Sequence, residues 1–190
     1  MRAIRAFLMS VAMTMPAAAA LADSYSETIE LFKNAGQSAA FFANCYGYAV
    51  FPTVGKGGLV IGGAHGRGRV FEHGAYVGDA TLNQLSVGFQ AGGQAYSQII
   101  FFQDKRAFDE FTAGNFEFDA SASAVAITAA ASGTAGTTGA TAAASGGKKD
   151  ATTAGNYYKG MAVFTIVKGG AMYEASVAGQ KFSYKARTAH

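Results

Sequence analysis

The sequence predicts an α+β fold: a curved, largely antiparallel β-sheet with an N-terminal helix and one short internal helix against it. Three observations lead there. Long runs alternate apolar and polar residues with period two, most clearly over residues 84–101. The chain carries 25 glycines, many of them inside those runs, where a helix would lose roughly 1 kcal/mol per Gly relative to Ala. Two segments, residues 24–43 and 104–114, combine helical spacing with terminal signals. The alternation fits an open curved sheet and a closed, barrel-like one equally well.

A chain of 190 residues that is 50% hydrophobic suits one domain with a substantial core. Its first 22 residues read as a signal peptide. Met1, Arg2 and Arg5 open a short basic start, residues 6–19 are apolar, and Ala20, Leu21 and Ala22 place small residues where a signal peptidase reads. Cleavage is expected before Asp23, leaving residues 23–190 as a single domain that is periplasmic or secreted. The apolar run is short for a spanning anchor, and Ser10, Thr14 and Pro16 interrupt it. Two of the 15 basic residues leave with the leader, so 13 remain against 12 acidic ones and any pull on anions must come from clustering. Cys45 has no second cysteine to pair with and reads as a small buried hydrophobe.

The elements follow in order. Residues 24–43 form the first helix, with Ser24 and Glu27 at capping-box spacing and Ile29, Phe32, Gly36, Ala39, Ala40 and Ala43 recurring at helical intervals. Residues 48–51 form a strand that is expected to stop, or to reach a sheet edge, at Pro52. Gly55, Lys56, Gly57 and Gly58 supply the turn, with positive φ angles. The next strand has a nearly smooth face of Val60, Gly62, Ala64, Gly66, Gly68 and Val70. Its other face carries Leu59, Ile61, Gly63, His65, Arg67, Arg69 and Phe71. Residues 71–78 pair back as a short strand.

Over residues 84–101 one parity (Leu85, Val87, Phe89, Ile99, Phe101) is expected to be core and the other (Gln84, Gln90, Tyr96, Gln98) wet, with Gly92 and Gly93 bending the run. Asp104 caps a short helix that turns Ala107, Phe108 and Phe111 to one side and ends at Gly114. Residues 116–127 are extended. Residues 132–155, almost all Ala, Gly, Thr and Ser, have little to bury and read as a loop. Residues 157–167 and 171–184 form a final strand pair around Gly169 and Gly170.

Reaction chemistry is missing from the sequence. Gly57 follows Lys56 where a phosphate loop needs Ser or Thr, and no Gly-x-Ser-x-Gly elbow occurs. His65, His73 and His190 do not form a metal set. Basic residues are too sparse for nucleic acid. The expectation is a non-enzymatic protein without cofactor, metal or nucleic-acid partner.

Three ordered blocks resemble the SYLF domain family. They are Phe51-Pro-Thr-Val-Gly-Lys-Gly-Gly58 followed by Val60-Ile-Gly-Gly-Ala64, then Gly88-Phe-Gln-Ala-Gly-Gly-Gln94 with its continuation to Phe111, then the stretch from Gly160 to Val177. The resemblance implies a lipid-binding domain, with phosphoinositides as ligands in eukaryotic members. For an exported bacterial chain it implies docking on anionic phospholipid of the envelope. The actin association of fungal members does not carry over to such a chain.

Charge placement nominates Lys56, Arg67, Arg69, Lys168, Lys181 and Lys185 for headgroups. Leu31, Phe32, Phe41 and Phe42 are the candidates for insertion into a membrane. The alternative is a structural envelope protein, outer-membrane-associated or a β-barrel, against which the polar C-terminal tail stands.

Overall fold

The computed structural model describes residues 17–58, 61–87, 94–119, 122, 124–127, 157–169 and 177–188. Three helices, α1 (Ala17–Asn34), α2 (Gly36–Asn44) and α3 (Lys105–Thr112), accompany eight strands. These are β1 (Gly47–Gly58), β2 (Ile61–Glu72), β3 (Ala75–Val87), β4 (Gln94–Phe102), β5 (Asn115–Glu117), β6 (Val125–Ile127), β7 (Met161–Gly169) and β8 (Gln180–Ala186). They form one sheet in the order β5-β8-β3-β2-β1-β4-β7-β6, antiparallel at every pair except β6 with β7. Its edges, β5 and β6, do not pair with each other, so the sheet of the described residues is open. A spanning barrel needs closure, because an unpaired edge cannot be satisfied in lipid.

The sheet nevertheless curls tightly. Gln98 on β4 and Gln180 on β8 are four strand steps apart, roughly 19 Å along a flat sheet. Their side-chain amides meet at 2.8 Å and 3.1 Å. Inside the curl lies one core, with Phe51, Val54, Leu82, Ile100, Phe102 and Phe182 among its members, and α3 adds Ala107, Phe108 and Phe111 to it. On the outer face α1 and α2 cover a second core of Val50, Ile99, Phe101, Phe164 and Ile166, into which Phe32 and Ala35 pack.

That double cover changes the reading of β4. Tyr96, Gln98, Ile99, Ile100, Phe101 and Phe102 are all buried, so the expected wet parity does not exist there. Leu85, expected in the core, is 75% exposed. Period two says which residues share a face; it does not say whether the opposite face is also covered.

The strand through Pro52 does not stop. β1 runs on to Gly58 at the centre of the sheet, between β2 and β4, because its register slips beside Pro52 on both sides. A bulge is the place where a central strand tolerates a residue without an N–H. The free carbonyl of Pro52 accepts the Ser97 hydroxyl at 2.8 Å. Gly55 and Gly57 are therefore strand residues without positive φ. Positive φ appears instead at His73 (48°) and Gly74 (82°), the two-residue turn joining β2 to β3.

The first helix is two helices. α1 runs through Ser24, so no capping box forms there, and Ala35 in extended geometry (φ −86°, ψ 107°) breaks the period. Beyond the break Ala35 and Ser38 are buried, while Gly36, Ala40 and Ala43 are exposed. The Ser38 hydroxyl bridges the junction by donating to the Phe32 carbonyl at 2.6 Å and the Ala35 carbonyl at 3.1 Å. It thereby satisfies a terminal carbonyl that α1 leaves open.

α3 forms as the sequence predicts. The Asp104 carboxylate accepts the Ala107 N–H at 2.8 Å, and Gly114 (φ 111°) follows the helix end. Asp104→Ala is expected to lower stability by about 1 kcal/mol in urea unfolding, and Asp104→Asn to retain most of it.

β7 and β8 do not pair as expected. β7 lies between β4 and β6, and β8 between β3 and β5, toward opposite edges of the sheet. The loop expected at residues 132–155 lies outside the described residues, as do residues 1–16 of the expected leader.

Candidate functional site

The two faces read from β2 are distinct in the fold. Gly62, Ala64, Gly66, Gly68 and Val70 are buried and turn into the curl. The bulky groups against this smooth face belong to the chain itself: a Cβ on Gly68 would stand 2.6 Å from the Phe51 ring, and one on Gly66 would stand 2.8 Å from Val54. His65, Arg67 and Arg69 face outward. No space is left on the inner side at these positions.

An open cleft of about 470 Å³ lies on the outer side, lined by Ser24 and Tyr25 of α1, Pro52, Thr53 and Gly55 of β1, and His65, Gly66 and Arg67 of β2. Lys168 of β7 reaches its wall, with Nζ donating to Thr53 Oγ1 at 3.3 Å. His65 Nδ1 is 2.8 Å from Asn83 Oδ1, which orients the ring. Tyr25 fixes α1 over the cleft: its hydroxyl donates to the Arg67 carbonyl at 3.4 Å, and the Arg69 guanidinium lies 4.3 Å from its ring centre. Burial pushes the Tyr25 phenol pKa up, against the pull of nearby Arg69, and so keeps it a neutral donor.

The six basic residues nominated from sequence are not one patch. Arg67 and Lys168 meet at the cleft. Arg69 is held between Tyr25 and Tyr76, and the latter also carries Arg187 at 5.0 Å. Its role is to clamp α1 as much as to offer charge. Lys181 pairs with Glu117 at 3.4 Å, and Lys185 lies opposite Asp79 in register. Lys56 follows Val54 on the inner parity, two residues further along β1, and so lies on the opposite side of the sheet from Arg67.

The four residues nominated for insertion pack on the protein's own sheet. Phe32 is fully buried; Phe41 stacks on Phe101 at 5.4 Å; Phe42 meets Phe101 at 4.9 Å and Tyr48 at 5.3 Å; Leu31 is partly buried beside them. Insertion through them would require the helix pair to lift off β1, β4 and β7. Sequence reasoning missed Tyr25 and Thr53, whose place in the cleft depends on a helix start and a bulge that the sequence does not mark.

Among the described residues no three His, Cys, Asp or Glu side chains gather to hold a metal, and no described helix is long and apolar enough to cross a membrane. Residues 83–188 match the family model described as Ysc84, Las17-binding protein actin regulator. The chain belongs to the Ysc84 (SYLF) family. The match begins within β3, so it contains the second and third sequence blocks, and the Gly-rich hairpin of β1 and β2 precedes it. The chain is also 28% identical over 157 residues to Beta cell expansion factor A of Aeromonas veronii, across 81% of this chain and 51% of that protein. It thus spans about half the length of that curated relative. Ysc84 is a family of binding domains.

Proposed function

We propose that this Ysc84 domain docks reversibly on anionic phospholipid in the bacterial envelope, as a periplasmic or secreted protein released from its leader. The observation that carries the reading is the outer cleft, where Arg67 and Lys168 stand without a carboxylate partner among the described residues. Cations already paired with carboxylates have little left to offer a phosphate; these two remain open to one. Each contributes about 1 kcal/mol near an anionic surface. The name of the family model speaks of binding Las17 and regulating actin; for an exported chain the lipid ligand is the one within reach.

The test is flotation of residues 23–190 with phosphatidylcholine vesicles and with phosphatidylglycerol-rich vesicles, at low and high salt. Binding to the anionic vesicles alone, weakened by salt, is the expected result. Arg67→Gln combined with Lys168→Gln is expected to weaken it at least roughly tenfold. Lys105→Gln with Lys159→Gln removes equal charge from the ion-paired region near α3 and should change it little. Equal loss from both pairs would reduce the cleft to a matter of net charge, and no flotation at all would reject direct recognition of lipid.

A further inference from the structure

Arg67 stands midway along β2, whereas Lys56 and Lys168 lie on opposite faces of the sheet but near the same end of it. Register places the ends of β1, β2, β3, β4, β7 and β8 together there: Gly58 beside Gly62, Lys56 beside Ala64 and Gln94, Gly63 beside Leu85, Ala95 beside Gly169, and Gln84 beside Gln180. Lys168 falls at the register slip between Ala95 and Tyr96, as the extra residue of a bulge at that end. Within residues 53–58, 61–66, 82–87, 94–97, 165–169 and 180–182 there is no Asp or Glu, whereas Lys56, His65, Lys168 and Lys181 all lie there. Among the described residues Glu117, from the edge strand, pairs with Lys181 alone. Around α3 and the preceding turn, by contrast, charges of both signs are paired: Lys105 with Asp109, and Arg106 with Glu110.

Leu85 completes the pattern. At 75% exposure it is the most exposed large apolar side chain among the described residues, and it stands at this cationic end. Its partner on β2 is Gly63, which has no side chain to cover it, and β8 begins one register position short of it, at Gln84. A flat surface laid on either face of the sheet would reach Lys56 or Arg67 and Lys168, not both sets. A surface meeting the sheet end-on reaches Lys56 and Lys168 together, along with Leu85, which stands at the same end on the outer face.

We infer that this domain meets the bilayer end-on, with its strands steep to the membrane, Lys56 and Lys168 among the headgroups and Leu85 dipping into the interface. The inference rests on the lipid-docking reading and adds its orientation. It moves the apolar contact from the α1–α2 aromatics, which are committed to the protein's core, to the most exposed large apolar side chain among the described residues.

The test places an environment-sensitive fluorophore on Leu85→Cys, or on Asp109→Cys in α3, each in a Cys45→Ala background with unfolding curves matching the parent. Vesicles rich in phosphatidylglycerol carry brominated acyl chains, and flotation is read on the same samples. Expected are a blue shift and bromolipid quenching at position 85, with neither at position 109. Unlabelled Leu85→Asp should lose roughly tenfold in vesicle affinity, the order expected for one partly buried Leu. Flotation with quenching at 109, or at neither position, would overturn the end-on orientation and leave lipid docking standing. Absence of flotation by the unlabelled parent would overturn both.

Discussion

Phe51→Ala is expected to cost about 3–5 kcal/mol of stability, the largest loss from any single side chain considered above. The ring is fully buried, rests 5.7 Å from the Phe182 ring, and occupies the hollow above Gly68 that the missing side chain leaves. The converse change tests the same fit. A methyl on Gly68 would fall 2.6 Å from Cδ1 and Cε1 and 2.9 Å from Cζ of that ring, and a ring packed on all sides cannot retreat. Gly68→Ala should therefore cost about 1–3 kcal/mol. Gly68 does not have positive φ, so the demand for glycine is one of space and not of backbone conformation. In the Phe51→Ala background the added methyl enters the vacated hollow. The double mutant should then be more stable than the sum of the single losses by at least about 1 kcal/mol, read from urea midpoints. Strict additivity would show that ring and glycine do not oppose each other.

Removing one amide of the buried pair is expected to hurt more than removing all of its polar groups. Gln98 and Gln180 are fully buried and bonded reciprocally, and Gln180 Nε2 also donates to the Tyr96 hydroxyl at 3.2 Å. Burial pushes the Tyr96 pKa up to about 12, so the phenol stays neutral and can accept that bond at ordinary pH. Gln98→Met strands the Gln180 carbonyl in the core, at a cost of about 1–3 kcal/mol. Gln98→Met, Gln180→Met and Tyr96→Phe together leave no polar atom of the network behind and should recover most of that loss. A triple mutant weaker than the single one would mean that the amides do more than satisfy each other, and would make the pair the clasp that holds β8 over β4. Near-ultraviolet circular dichroism alongside unfolding separates a loosened curl from a lost core.

Much of the local structure was legible because its causes are local. An Asp three residues ahead of an acceptable N–H donor, followed by apolar residues on one side, specifies α3 wherever it sits. The smooth and basic faces of β2 follow from side-chain alternation alone, and they separate in the fold as read. The family blocks were legible for the same reason, as fixed residues in fixed order. What failed depended on neighbours. Pro52 reads as a stop unless bulges against β2 and β4 are known. Tyr96 and Gln98 read as wet unless the curl brings Gln180 across, and Leu85 reads as core unless β8 is known to begin one position short of it. Lys56 reads as a companion of Arg67 because a slip of register along β1 leaves no mark in composition.

The sequence by itself determined the α+β class, the two faces of β2, the capped helix and the family, since these depend on backbone sterics and side-chain period over a few residues. The tertiary structure alone decided which strands are neighbours, that the sheet curls without closing, that α1 and α2 spend their aromatics on the protein's own core, and which cations share an end. Those outcomes depend on how far the sheet twists and where its bulges fall, and each such step carries residues distant in sequence onto the same or opposite sides of the molecule.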